Sequence, residues 1–144
     1  MDQPSPLTHS LLTPMLALVV WTLVMTVWMY AVRIPAIQKA GINPNDAREP
    51  TSLDALPLQV RQVAYNHNHL MEQPTIFYAL VAYSYLAGQQ NPLNLALAWA
   101  YVAVRVVHSL VQATVNVVLV RFSIFMLGTL VLAALAARDV LALF

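Results

Sequence analysis

Residues 60–78 read VRQVAYNHNHLMEQPTIFY and open a hydrophobic run in a chain that is otherwise mostly apolar. A helix advances about 100° per residue. With Arg61 set at zero, Asn68 falls near about −20°, Glu72 near about +20° and Tyr65 near about +40°. One narrow stripe therefore carries a cation, an amide and an anion over roughly three turns. If this helix enters a bilayer, the stripe cannot face lipid, and the other segments must cover it.

The composition says that a bilayer is present. Of 144 residues, 60% are hydrophobic and only 9% charged, against about 25% charged in a soluble domain. Too few polar groups remain to clothe a water-facing surface, so membrane lipid is an expected partner. The net charge of +1 and the lack of a basic cluster leave nothing to track phosphates, so no nucleic acid is expected. There is no cysteine, hence no disulfide and no thiol nucleophile of the chain's own. A thiol would have to arrive as a substrate. The opening residues MDQPSPLTHSLL contain no basic side chain, so they lack the n-region of a signal peptide, and the first apolar segment is expected to be retained.

Four spans are predicted, at about 11–33, 60–87, 92–115 and 121–138, within one domain covering 1–144. Thr13 and Pro14 form a cap and first-turn pair for span one, and Arg33 and Pro35 close it. A polar loop follows at about 34–58, in which Lys39, Asp46, Arg48, Glu49 and Asp54 read as solvated charges. Arg33, Lys39, Arg48 and Arg61, four of the seven basic residues, lie in or beside it, whereas 88–91 has none. The positive-inside rule places this loop in the cytoplasm and both termini outside, in a bacterial inner membrane or, in a eukaryote, the endoplasmic reticulum.

Span two is cleanly apolar only over 75–87, so 61–73 must supply the remaining depth. Pro74 removes the bond to the Leu70 carbonyl and is expected to kink the helix, and Gly88 is a good residue to end it. Asn91 and Pro92 cap span three. Setting Arg105 at zero, His108 falls near about −60°, Gln112 near about −20° and Asn116 near about +20°, a second polar stripe. No glycine or proline separates spans three and four. An unbroken helix there would approach ~80 Å, so a turn is required, expected around 116–120. The predicted fold class is all-α: a four-helix membrane bundle.

Charge at membrane depth needs a partner. For Glu72 that partner is Arg105 or Arg61, and a structural ion pair fixing helix register is one reading. The other follows from excess. Arg61, Arg105 and Arg121 outnumber one carboxylate, and spare guanidinium forks invite an anionic ligand. Metal is not expected: His67 and His69 lie about 200° apart on a helix. His69 with Glu72 and His108 offers only one reversed Glu-x-x-His pair, whereas di-iron bundles repeat it. His108 also reads as an ordinary interhelical hydrogen-bonding residue.

Arg61, Asn68-His-Leu-Met-Glu72 with Pro74, and Arg105-Val-Val-His108 followed by Arg121 resemble the MAPEG family, the membrane-associated proteins of eicosanoid and glutathione metabolism. The resemblance covers nearly the whole chain. It implies a homotrimer with glutathione as co-substrate, bound between subunits near the cytoplasmic face, and a small lipophilic substrate arriving from the bilayer. It further implies that Arg33, Arg61, Asn68 and Glu72 hold the tripeptide's charged ends, that Arg105, His108 and Gln112 line the same pocket, and that Arg121 stabilises the thiolate. The implied activity is that of a glutathione-dependent transferase or peroxidase. Three positions depart from the family pattern. Three residues separate Asn68 from Glu72 where two are usual, Gln112 stands where a tyrosine usually packs against glutathione, and Phe125 stands in place of another tyrosine. From these follows an alternative: a non-catalytic binding or scaffold protein that keeps the fold without glutathione chemistry.

Overall fold

Ser10 starts the first helix: its hydroxyl oxygen accepts the Leu12 N–H at 3.2 Å, relieving one of the orphan donors of a helix N-terminus. The computed structural model describes residues 10–43, 45, 47–48 and 50–144. Helix α1 (Leu12–Lys39) has 28 residues and extends about 42 Å. Pro14 falls in its first turn as expected, whereas Thr13 lies inside that turn and is not the cap. Its end also departs from expectation, because it runs through Pro35 into the predicted loop. The bond that Pro35 cannot make would go to Ala31, which is exposed, as is Pro35 itself, so the loss leaves no stranded buried carbonyl. Beyond α1, a single 3-10 turn forms over Pro50–Leu53. Arg48 and Asp54 are exposed as expected of loop charges, and Lys39, exposed too, is the last residue of α1 and not part of the loop; Asp46 and Glu49 lie outside the described residues.

The predicted second span is two helices. α2 (Leu58–Leu70) stops three residues before α3 (Gln73–Leu86) starts. The break lies at Met71 and Glu72, ahead of Pro74, which occupies the first turn of α3 where its missing N–H costs nothing. Met71 N–H bonds Asn68 O at 2.9 Å and Thr75 Oγ donates to Glu72 O at 2.6 Å, so short-range bonds replace the interrupted ladder. The expected kink is thus a full break, and it resets the helical register. Gly88, with φ +71, ends α3, and Gln89 N–H reaches back to Ser84 O at 2.8 Å in a Schellman-type closure.

Asn91 caps α4 (Pro92–Ala113) as predicted, its side chain accepting Asn94 N–H at 3.0 Å. The turn to α5 (Val118–Leu141) comes a little earlier than expected. Asn116 takes the left-handed conformation with φ 50 that a glycine would otherwise supply, and its N–H bonds Val111 O at 2.7 Å. α5 extends beyond the predicted span at both ends.

α2 and α3 run antiparallel to α4. Gln62 Nε2 donates to the Ala113 and Thr114 carbonyls at 2.9 and 2.7 Å, covering acceptors that the end of α4 leaves open. Further along, the Phe77 and Tyr101 rings stack with centroids 4.6 Å apart. Leu18, Phe77, Val81, Ala98, Tyr101, Leu132 and Leu135 build one core, and Met25, Met29, Val63, Leu70 and Ala113 a second. Gly128, on α5, is buried against α4, where a Cβ would meet Val104 Cγ1 at an ordinary contact distance of 3.4 Å. Outside, Leu16, Leu23, Val27, Leu119 and Leu130 are exposed. Among the described residues, three helices (α1, α4 and α5) are long and apolar enough to cross a membrane. α3, at 14 residues, reaches only about 21 Å.

Candidate functional site

Because α2 breaks, Gln73 and not Glu72 takes the inward position. Its half-buried side chain is the hub of a network that reaches into the core. Arg105 Nη2 donates to Gln73 Oε1, and Arg105 Nε donates to the Tyr101 hydroxyl at 2.9 Å. Gln73 Nε2 donates to Thr129 Oγ at 2.8 Å. Arg105 is 1% exposed, and its guanidinium carbon lies 5.1 Å from the Phe125 ring centre and 5.4 Å from that of Tyr101. Neutral oxygens and two aromatic faces thus surround a buried cation, each contact contributing on the order of 0.5–3 kcal/mol. The ion pair between Glu72 and Arg105 that the sequence offered does not form. The Glu72 side chain is 63% exposed, and its carboxylate lies 3.2 Å from His69 Nδ1.

Beside this network is a cavity of about 230 Å³ lined by His69, His108, Val118, Arg121, Phe122 and Phe125. α4 and α5 position it: the turn at Asn116 brings the first turn of α5 back over His108, and Asn116 Oδ1 accepts from Arg121 Nη1 at 2.8 Å. That bond aims the Arg121 guanidinium. The His69 and His108 rings meet edge to face, 6.0 Å between centroids, and Phe125 closes on His108 at 6.1 Å. One guanidinium and two imidazoles therefore stand against three apolar walls, so a charged group and a hydrophobic one fit side by side. Among the described residues, no group of three or more His, Cys, Asp or Glu side chains is placed to hold a metal ion.

A second cavity, about 90 Å³, lies at the same end of the bundle, where α1 meets α2. Arg33, Asp54, Arg61, Tyr65 and Asn68 contribute its polar lining. Arg61 Nη1 donates to Asp54 Oδ1 at 3.1 Å, while Arg61 Nε is buried without a hydrogen-bond partner among the described residues. The guanidinium fork is therefore only half used.

The nominated residues thus divide. Arg33, Arg61 and Asn68 share the smaller cavity, and His108 and Arg121 share the larger. Arg105 and Glu72 line neither: Arg105 packs on the Phe125 ring that walls the larger one, and Glu72 is exposed beside His69. Gln112 is 1% exposed and belongs to neither lining. Sequence reasoning passed over Gln73, Tyr101, Thr129 and Asp54. For Gln73 the signal was its place just before Pro74, since a helix restarting at a proline changes which side chain points inward.

Comparison with curated proteins and with solved structures returned no match. The family model for the MAPEG family matches residues 11–141, nearly the whole chain and every helix described above. An all-helical, lipid-clad bundle with this match is a membrane protein, and the chain belongs to the MAPEG family.

Proposed function

We propose that the protein is a glutathione-dependent transferase or peroxidase that acts on lipophilic electrophiles within the membrane. The observation that carries this reading is the larger cavity, where Arg121 and His108 face Val118, Phe122 and Phe125. A cation aimed at an apolar-walled site stabilises a thiolate where water would otherwise be needed to solvate it. Arg121 holds the glutathione sulfur as its anion. That sulfur attacks an electrophilic carbon held among the phenylalanines, forming the C–S bond as the leaving group departs. With a lipid hydroperoxide, two glutathiones supply the electrons, giving the alcohol, water and the disulfide.

In this reading the broken pair α2–α3 completes a fourth membrane crossing beside α1, α4 and α5. The loop between α1 and α2 is cytoplasmic, and both termini lie outside. The chain assembles as a homotrimer in which the Arg33–Arg61–Asn68 cavity of one subunit faces the Arg121 cavity of the next. Family membership and the division of the basic residues between two cavities of one subunit support that arrangement. Glutathione then spans the junction, with its carboxylates on Arg33 and Arg61, its amide dipoles on Asn68 and its sulfur near Arg121.

Calorimetric titration of the detergent-solubilised protein with glutathione tests the proposal. Saturable heat and a rise in melting temperature at millimolar ligand are expected, and their absence would sink it. A second reading has its own support: Gln112 is withdrawn from the cavities, and Asp54 occupies Arg61. A non-catalytic membrane binding protein then keeps the bundle, and it would bind no glutathione and conjugate no generic electrophile.

A further inference from the structure

Between the two cavities and the end of α4, the seam joining α2 to α4 buries polar side chains that have no partner. Asn66 is 0% exposed, yet neither its Nδ2 nor its Oδ1 makes a hydrogen bond among the described residues. On α4, Ser109 Oγ and Gln112 Oε1 are in the same condition, at 0% and 1% exposure.

These atoms share one level of the bundle. Gln62 bonds the Ala113 and Thr114 carbonyls and His69 meets His108, so the antiparallel register sets Asn66, midway between Gln62 and His69, against the Ser109–Gln112 stretch. One turn separates Asn66 from Gln62 on the same face of α2, as one turn separates Ser109 from Ala113 on α4. The longer glutamine crosses the seam directly. Asparagine is one methylene shorter, about 1.5 Å, and falls short. An unpaired buried amide or hydroxyl costs about 1–3 kcal/mol, and the surrounding lipid has nothing to offer it. An internal water with two to four polar partners is the ordinary remedy.

We propose that Asn66, Ser109 and Gln112 form a buried water-binding site that joins α2 to α4. The water accepts from Asn66 Nδ2 or the Ser109 hydroxyl and donates to Gln112 Oε1 and Asn66 Oδ1. The site explains why a glutamine is kept in the interior rather than at either cavity, and it is independent of whether glutathione binds.

A crystal structure of the full-length protein, at a resolution that shows ordered solvent, is the first test. A solvent peak about 2.7–3.2 Å from the Asn66 amide and from Ser109 Oγ or Gln112 Oε1 is expected. Direct side-chain contact among these three with no peak between them overturns the proposal. Solid-state NMR of the protein in liposomes gives a second readout through water-to-protein magnetisation transfer. Transfer to the Asn66 side-chain amide should be several-fold faster than to the core Val81, and equally slow transfer overturns the site. In Asn66→Leu, the Ser109 signal should lose its fast transfer; if it is retained, Asn66 is no part of the site.

Discussion

The two ends of the bundle treat their polar groups in opposite ways. At the end where α3 stops and α4 begins, Asp139 accepts from Ser84 Oγ at 2.5 Å and from Asn94 Nδ2 at 3.5 Å. Arg138 donates to Asn94 Oδ1 at 2.6 Å and to Asn91 Oδ1 at 3.2 Å. Three helices and a turn are tied together, and Asp139 is 3% exposed. At the other end, Arg33 has no carboxylate at ion-pair distance among the described residues, Arg61 uses half its fork, and Arg121 aims into a cavity. Donors that answer one another stabilise a fold. Donors left half satisfied beside a cavity are what a ligand needs, and both cavities described above lie at that end.

Substitutions at four positions test this contrast. The largest effect is expected at Arg121. If it stabilises a thiolate, Arg121→Ala should lower turnover by about 10²–10³-fold, the loss typical of a removed anion-stabilising donor, with glutathione affinity changed far less. Steady-state kinetics with a generic electrophile separates the two quantities. Gln73→Leu comes next, since it strips Arg105 of one of its two neutral side-chain acceptors. Chemical unfolding in detergent should show a loss of about 1.5–3 kcal/mol, and Gln73→Glu should recover it by supplying a carboxylate to the same guanidinium.

Asp139→Ala opens the closed end: Ser84 falls back on the Leu80 carbonyl and Asn94 on the Gln89 carbonyl, and the tie to α5 through Asp139 is lost. A loss of about 1–2 kcal/mol is expected by the same measurement, with glutathione binding unchanged. The smallest effect is at Asp54. This exposed pair with Arg61 is worth at most about 1 kcal/mol, so Asp54→Asn should tighten glutathione binding roughly two- to fivefold. Weaker binding in the titration would mean that Asp54 supports the site instead of competing for it.

Much of the fold was legible because membrane length, capping and turn chemistry are local. Asn91 and Pro92 announced the start of α4, Gly88 announced the end of α3, and a turn before α5 followed from the bilayer's thickness. The site was less legible. The stripe over Arg61, Asn68 and Glu72 assumed one continuous helix, and the break at Met71 and Glu72 changed which residue faced inward. Asp54 and Arg61 met through a loop whose path no periodicity predicts.

The amino-acid sequence by itself determined that this is a helical bundle clad in lipid, because composition and hydrophobic run length leave no other solvent for it. It also determined that guanidinium groups exceed the carboxylates available to them in the spans. Only the tertiary structure decided how residues 60–78 divide their work. Gln73 turns in to Arg105 and Glu72 turns out to His69, while Arg61 and Asn68 face a cavity separate from that of Arg121. The physical reason is register: two residues outside either helix at the break rotate everything beyond them, and that rotation is fixed by packing against Tyr101, Arg105 and Thr129.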